Sequence, residues 1–217
     1  TDLPFASANF KLVNATANDI DALATPGPMP ANIASVDVQD TSVNIGNKLD
    51  MLKGIGDLIG KITFTNKKPE MTMTAAQMDS YADVLGLVQT GYKLTISDDL
   101  KVDDALGLTS PSPNAVLSFH IVDTQASIQD NLDALQPLVK TKQLTSVAMS
   151  DADPATPFTL SAASLKNDVD AIKLLKPAAL KITDVTVADA LRQRRKAPFL
   201  PQPKQRRLFS MMGFHWC

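Results

Sequence analysis

Val36-Asp37-Val38-Gln39-Asp40-Thr41, with Ile45, Leu49-Asp50 and Leu52 behind it, returns later as Phe119-His120-Ile121-Val122-Asp123-Thr124, with Ile128, Leu132-Asp133 and Leu135 behind it. Working outward, the echo runs on through Met71-Thr72-Met73-Thr74-Ala75-Ala76 against Phe158-Thr159-Leu160-Ser161-Ala162-Ala163. Leu94 to Asp98 then answers to Leu180 to Asp184, and Asp104-Ala105-Leu106 to Asp189-Ala190-Leu191. Self-similarity over so long a stretch is the mark of stacked modules that share one core. It predicts a tandem repeat of about 83 residues.

Within each copy the periodicity switches twice. Val36 and Val38 alternate with Asp37 as a half-buried strand does, and Ile45, Leu49 and Leu52 follow at spacings of four and three, one face of a helix. Ile62–Thr65 and Met71–Met73 read as a second strand pair in the first copy, Val147–Met149 and Phe158–Leu160 in the second. Helices with Met78, Ala82 and Leu85, or Leu165, Val169 and Ile172, turned inward come next, then a strand and a short Asp-Ala-Leu helix. Helical connections of this length favour parallel strands, because an antiparallel hairpin needs only a few linking residues. The expected fold is α/β: a right-handed β-α solenoid of parallel strands with helices on the opposite side. Its parts are the end of a unit and a loop at 1–33, whole units at 34–116 and 117–191, and a tail at 192–217.

Composition fits a folded body. Of 217 residues 44% are hydrophobic and only 5% aromatic, a vocabulary of regular elements more than of a carved pocket. No apolar stretch approaches the roughly 18 residues of a membrane span, and no signal-like segment opens the chain. The single Cys217 provides no disulfide framework. Charge is segregated: residues 1–191 hold all 23 acidic residues and 14 basic ones, whereas Arg192, Arg194, Arg195, Lys196, Lys204, Arg206 and Arg207 crowd a tail without acids. That tail also carries three prolines and ends in Phe209, Met211, Met212, Phe214, His215 and Trp216.

The wording from Asp123-Thr124 to Leu135, with Leu144-Thr145-Ser146-Val147 and Phe158-Thr159-Leu160-Ser161-Ala162-Ala163 after it, resembles the β-α repeats of very long bacterial secreted and surface proteins of the adhesin kind. The likeness covers roughly residues 34–191. It implies an extracellular or cell-surface structural role and identifies no ligand.

Chemistry-bearing residues are few. Asp40, Asp98, Asp123 and Asp184 stand at strand ends. They are expected to cap helices, their oxygens accepting orphan amide protons; the alternative is a calcium ladder, since hard cations want clustered carboxylates. No other cofactor is expected. Asp98-Asp99 and Asp103-Asp104 read as solvated surface, and His120 as an exposed strand residue. No nucleophile elbow, phosphate-binding glycine loop, His-Glu-x-x-His or Cys-x-x-Cys occurs, so an enzyme is not expected. Arg192, Arg194, Arg195, Arg206, Arg207, Phe214 and Trp216 are the expected interaction residues. Three readings of the tail stand: docking on the acidic body of a neighbouring copy, binding an anionic polymer, or an extension without a partner. A self-associating homo-oligomer or polymer is the expected state, with an anionic polysaccharide as the candidate external partner in preference to nucleic acid. A monomeric binding module for a glycan, a protein or an anionic surface is the alternative.

Overall fold

A computed structural model describes residues 9–187 apart from 26, 154, 176 and 178. By contacts the chain divides into Thr1–Thr183 and Asp184–Cys217, and only residues 184–187 of the second unit are described.

The first unit alternates strand and helix. It opens with β1 (Phe10–Ala15), α1 (Ala17–Ala24), β2 (Ile33–Asp40), α2 (Ser42–Gly46) and α3 (Leu49–Gly54). A 3₁₀ turn (Gly56–Leu58) leads to β3 (Ile59–Phe64), β4 (Glu70–Met73), α4 (Ala75–Ser80), α5 (Ala82–Gly86) and β5 (Tyr92–Leu100). Then follow α6 (Val102–Gly107), β6 (Ala115–Asp123), α7 (Gln125–Asp130), α8 (Leu132–Lys140), β7 (Leu144–Met149), β8 (Phe158–Ser161), α9 (Ala162–Asn167), α10 (Val169–Leu175) and β9 (Leu180–Thr183). The strands form three sheets, in the orders β1-β2-β3, β4-β5-β6-β7 and β8-β9. Every pairing is parallel. The architecture is therefore α/β with parallel strands.

Side chains from all three sheets and from the helices meet in one apolar cluster running from Ile20 to Leu175. Its members include Val38, Ile45, Leu52, Ile62, Met78, Leu85, Ile121, Ile128 and Leu135, each no more than 1% exposed. Each such side chain contributes about 1.5–3 kcal/mol by leaving water.

Two expectations need correction. Ile45, Leu49 and Leu52 do not share one helix: the chain breaks at Lys48, and it breaks likewise at Tyr81, Asn131 and Asp168. At each break the joint residue takes φ between −106° and −121° with ψ between 12° and 28°, outside the helical region. Val169, expected to face inward, is 38% exposed, because the break at Asp168 turns the first residue of α10 outward.

Three of the sheet edges are closed locally. The outer edge of β4 meets Ser42, whose hydroxyl donates to the Glu70 carbonyl (2.9 Å) and accepts from the Glu70 amide (3.3 Å). At β8 the Thr159 amide donates to Gln129 Oε1 at 3.0 Å. Beyond β3, the Ile62 amide donates to the Leu87 carbonyl and the Gln89 amide to the Ile62 carbonyl. Side chains and stray backbone thus take the place of missing strands.

Candidate functional site

The helices are short, from five to nine residues, so a large share of their amides lies in the first turn, where no intrahelical acceptor exists. Five of them receive a hydroxyl on the third amide from their own cap: Thr16, Thr41, Thr74, Thr124 and Ser161. The first amide is served from further along the chain. Ala17 donates to Asp40 Oδ2 (3.0 Å), Ser42 to Asn66 Oδ1 (3.0 Å), Ala75 to Asp98 Oδ2 (2.8 Å), Val102 to Asp123 Oδ2 (2.9 Å) and Gln125 to Asp151 Oδ1 (2.6 Å). These acceptors lie 21 to 26 residues beyond their donors.

Asp40 and Asp123 do more. Their Oδ1 atoms accept the amides of Thr41 and Thr124, each at 2.7 Å. Asn44 Nδ2 adds a bond to Asp40 at 2.8 Å, and the Ser127 hydroxyl one to Asp123 at 3.0 Å. Each carboxylate therefore ties the start of one helix to the start of the next. The Val102 amide, followed by Thr124, Ser127 and the Lys101 ammonium, holds the Asp123 carboxyl below its ordinary range against the opposing effect of burial.

Three of the four calcium candidates, Asp40, Asp98 and Asp123, thus spend oxygens on amide donors, which stabilise a carboxylate without a cation. Asp184 opens the second unit, exposed, with a left-handed φ of 56°. Among the described residues no three His, Cys, Asp or Glu side chains come together as a metal-holding group. Arg192, Arg194, Arg195, Arg206, Arg207, Phe214 and Trp216 lie outside the described residues.

The polar positions of the strands pair across the sheets. Asp37 is flanked by Lys11 (3.0 Å) on β1 and Lys61 (3.8 Å) on β3. The residue standing in its place on β6, His120, has Nε2 2.6 Å from Asp99 Oδ1 on β5. Sequence reading took His120 as an exposed residue and missed Asp99; the side chain is in fact 30% exposed and paired. The 21-residue separation shared with the Asp123 cap was the available signal. Ser146 is next in register on β7.

Two surfaces stand apart from these pairings. No residue of β1 is buried, Phe10 and Val13 are 38% and 62% exposed, and β1 pairs only with β2 among the described residues. A cleft of about 680 Å³ opens between Pro28, Met29, Lys53, Ile55, Asp83 and Leu87. Among the described residues no helix is long and apolar enough to cross a membrane. Comparisons with protein-family models, with curated proteins and with solved structures return no match.

Proposed function

We propose that this chain is an extracellular structural protein that associates with copies of itself, as a filament, surface-layer or matrix subunit. In this reading the three sheets are stretches of one right-handed β-α solenoid built on a tandem repeat of about 83 residues, and association adds further turns. The observation that carries it is the edge of β1: an unburied strand with exposed Phe10 and Val13 and one paired side among the described residues. Such an edge is a template for another strand. The edges of β4 and β8, by contrast, are met by Ser42 and Gln129.

Further support comes from register. Phe10 lies opposite Ile33, Tyr92 opposite Ala115 and Phe158 opposite Leu180, separations of 22 or 23 residues. One turn of a solenoid has that length. Arg192, Arg194, Arg195, Phe214 and Trp216 would then bridge to the acidic body of a neighbour, an electrostatic attraction that salt weakens.

Light scattering and negative-stain imaging at rising concentration test the reading. Large ordered oligomers that shrink in a Val13→Pro variant, which removes an edge donor, are expected. A particle of 23.3 kDa at every concentration overturns it. The cleft beside Lys53 and Asp83 then favours the monomeric binding module.

A further inference from the structure

Two strand edges pose the same problem and receive different answers. α2 packs against β4 as α7 packs against β8, and each of these helices follows an Asp-Thr pair. On β4 the Lys93 amide donates to the Pro69 carbonyl, so Pro69 and Met71 face β5, and by alternation Glu70 and Thr72 turn their amides and carbonyls outward. Glu70 bears this out, since the Ser42 hydroxyl bonds both of its backbone groups. On β8 the Phe158 amide donates to the Ala179 carbonyl ahead of β9, and Thr159 is the residue turned outward.

An outward amide needs an acceptor. Thr159 finds one in Gln129 Oε1 at 3.0 Å. Gln129 is the fifth residue beyond the capping Thr124, and the fifth beyond the capping Thr41 is Gly46, which has no side chain to offer. Ser42 covers only the Glu70 end of the edge. Over the exposed Thr72 lies instead a cleft of about 460 Å³, bordered by Val43, Gly46, Asn47 and Gln77. Val43, 64% exposed, forms its apolar lip.

The lining selects what can enter. Thr72 presents a donor and an acceptor to the cleft. A carboxamide answers both, a carboxylate answers only the donor, and an aliphatic group answers neither. Asp50 and Glu70 line the cleft and no Lys, Arg or His does, which disfavours an anion. The cleft holds more than one side chain, and the Val43 lip gives an apolar neighbour of that side chain a place to rest. An exposed strand edge flanked by side-chain sites is a means of holding extended peptide.

We propose that this cleft is a binding site for an extended peptide that carries a glutamine. Its carboxamide takes on the Thr72 backbone the place that Gln129 takes on Thr159, and an adjoining apolar residue rests on Val43. The site is separate from the β1 edge, and the proposal does not depend on self-association.

Amide NMR on the isotope-labelled whole chain tests it with two probes, acetyl-Ala-Val-Gln-Val-Ala-amide and the same peptide with Glu in place of Gln. The Thr72 and Gly46 amides should shift saturably with the Gln peptide, and the Glu peptide should bind roughly tenfold more weakly, the loss of about one hydrogen bond. Gly46→Gln supplies the carboxamide from the chain itself and should abolish the response. It has room to fold, because Gly46 has no left-handed φ and an added Cβ meets only Met71 Cε, at an ordinary 3.5 Å. The proposal is overturned if Thr72 does not respond to the Gln peptide, if the two peptides bind alike, or if the variant binds as the wild type does. Should the variant fail to fold, the two peptides on the wild-type chain decide between the same outcomes.

Discussion

The stretch from β2 to β3 and the stretch from β6 to β7 are worded alike, and they agree where the backbone and core make demands. Val38, Ile45, Leu49 and Leu52 are buried, as are Ile121, Ile128, Leu132 and Leu135. Asp40 and Asp123 hold the same pair of helix starts. Even the irregularity matches: register slips by one residue between Val36 and Asp37, and again between Phe119 and His120. They differ on the outward row, in the residue that fills the slip, and in how the long helix ends. Apolar burial and orphan amides tolerate few solutions, whereas a polar strand position needs only a partner, which Lys11 and Lys61 give Asp37 and Asp99 gives His120.

The largest effects should fall on the shared core and be equal in the two stretches. Leu52→Ala and Leu135→Ala each remove a fully buried side chain and should each cost about 3 kcal/mol in denaturant unfolding. A cost under about 1 kcal/mol for one of them alone would break the equivalence. Next come the caps. Asp40→Ala and Asp123→Ala each orphan two amides and should cost about 2 kcal/mol. Because the Asp123 carboxyl is held below its ordinary range, it contributes stability above about pH 4 that is lost as pH falls through its depressed value. An acid-unfolding curve of Asp123→Ala should therefore be flatter on that limb than the wild-type curve.

Much of this was legible in the chain and some was not, for reasons that particular residues show. Asp-Thr ahead of an apolar 3-4 spacing announces a strand end and a capped helix, and Asp40-Thr41 and Asp123-Thr124 form both. What the pair could not reveal is that the aspartate also serves an earlier helix, because that partner lies 21 to 23 residues upstream and Ala17 or Val102 carries no mark of it. The helix breaks were hidden for a similar reason. Lys48, Tyr81, Asn131 and Asp168 share no residue type, and the apolar spacing continues straight across each joint. Asp98-Asp99 read as surface, and Asp99 is exposed; what the pair did not reveal is that Asp98, half-buried, caps Ala75 and that Asp99 faces His120.

A smaller effect separates the stretches at the slipped residue. In the first it is Gly60, where an added Cβ would stand 2.8 Å from Asp37 Oδ1. In the second it is Thr145, whose hydroxyl donates to the Phe119 carbonyl at 2.7 Å. Gly60→Thr should thus cost about 1.5 kcal/mol through crowding of the Asp37 carboxylate and its lysine pairs. In an Asp37→Ala background the same change should cost under about 0.5 kcal/mol, since the obstructing carboxylate is gone. A double-mutant cycle reads the difference. Additive costs would mean that the glycine answers to the backbone and not to Asp37.

The smallest effect concerns how the long helix stops. In the first stretch α3 ends at Gly54 and a 3₁₀ turn carries the chain into β3. In the second α8 runs to Lys140, and Lys142 then adopts a left-handed φ of 61°. The Lys142 amide donates to the Val139 carbonyl and the Gln143 amide to the Leu138 carbonyl, the paired bonds of a Schellman stop. A lysine there carries the steric cost of its Cβ in a region that glycine enters freely. Lys142→Gly should therefore raise stability by about 0.5–1 kcal/mol, the relief of that strain less the entropy of a freer unfolded chain. Gly54→Ala, at a position without left-handed φ and with nothing within 4 Å of an added Cβ, should stabilise in the opposite chemical direction by a comparable amount. Opposite substitutions with the same sign of effect would tie the difference between the stretches to backbone conformation, and a loss of stability in Lys142→Gly would instead assign the lysine side chain a contact that outweighs its strain.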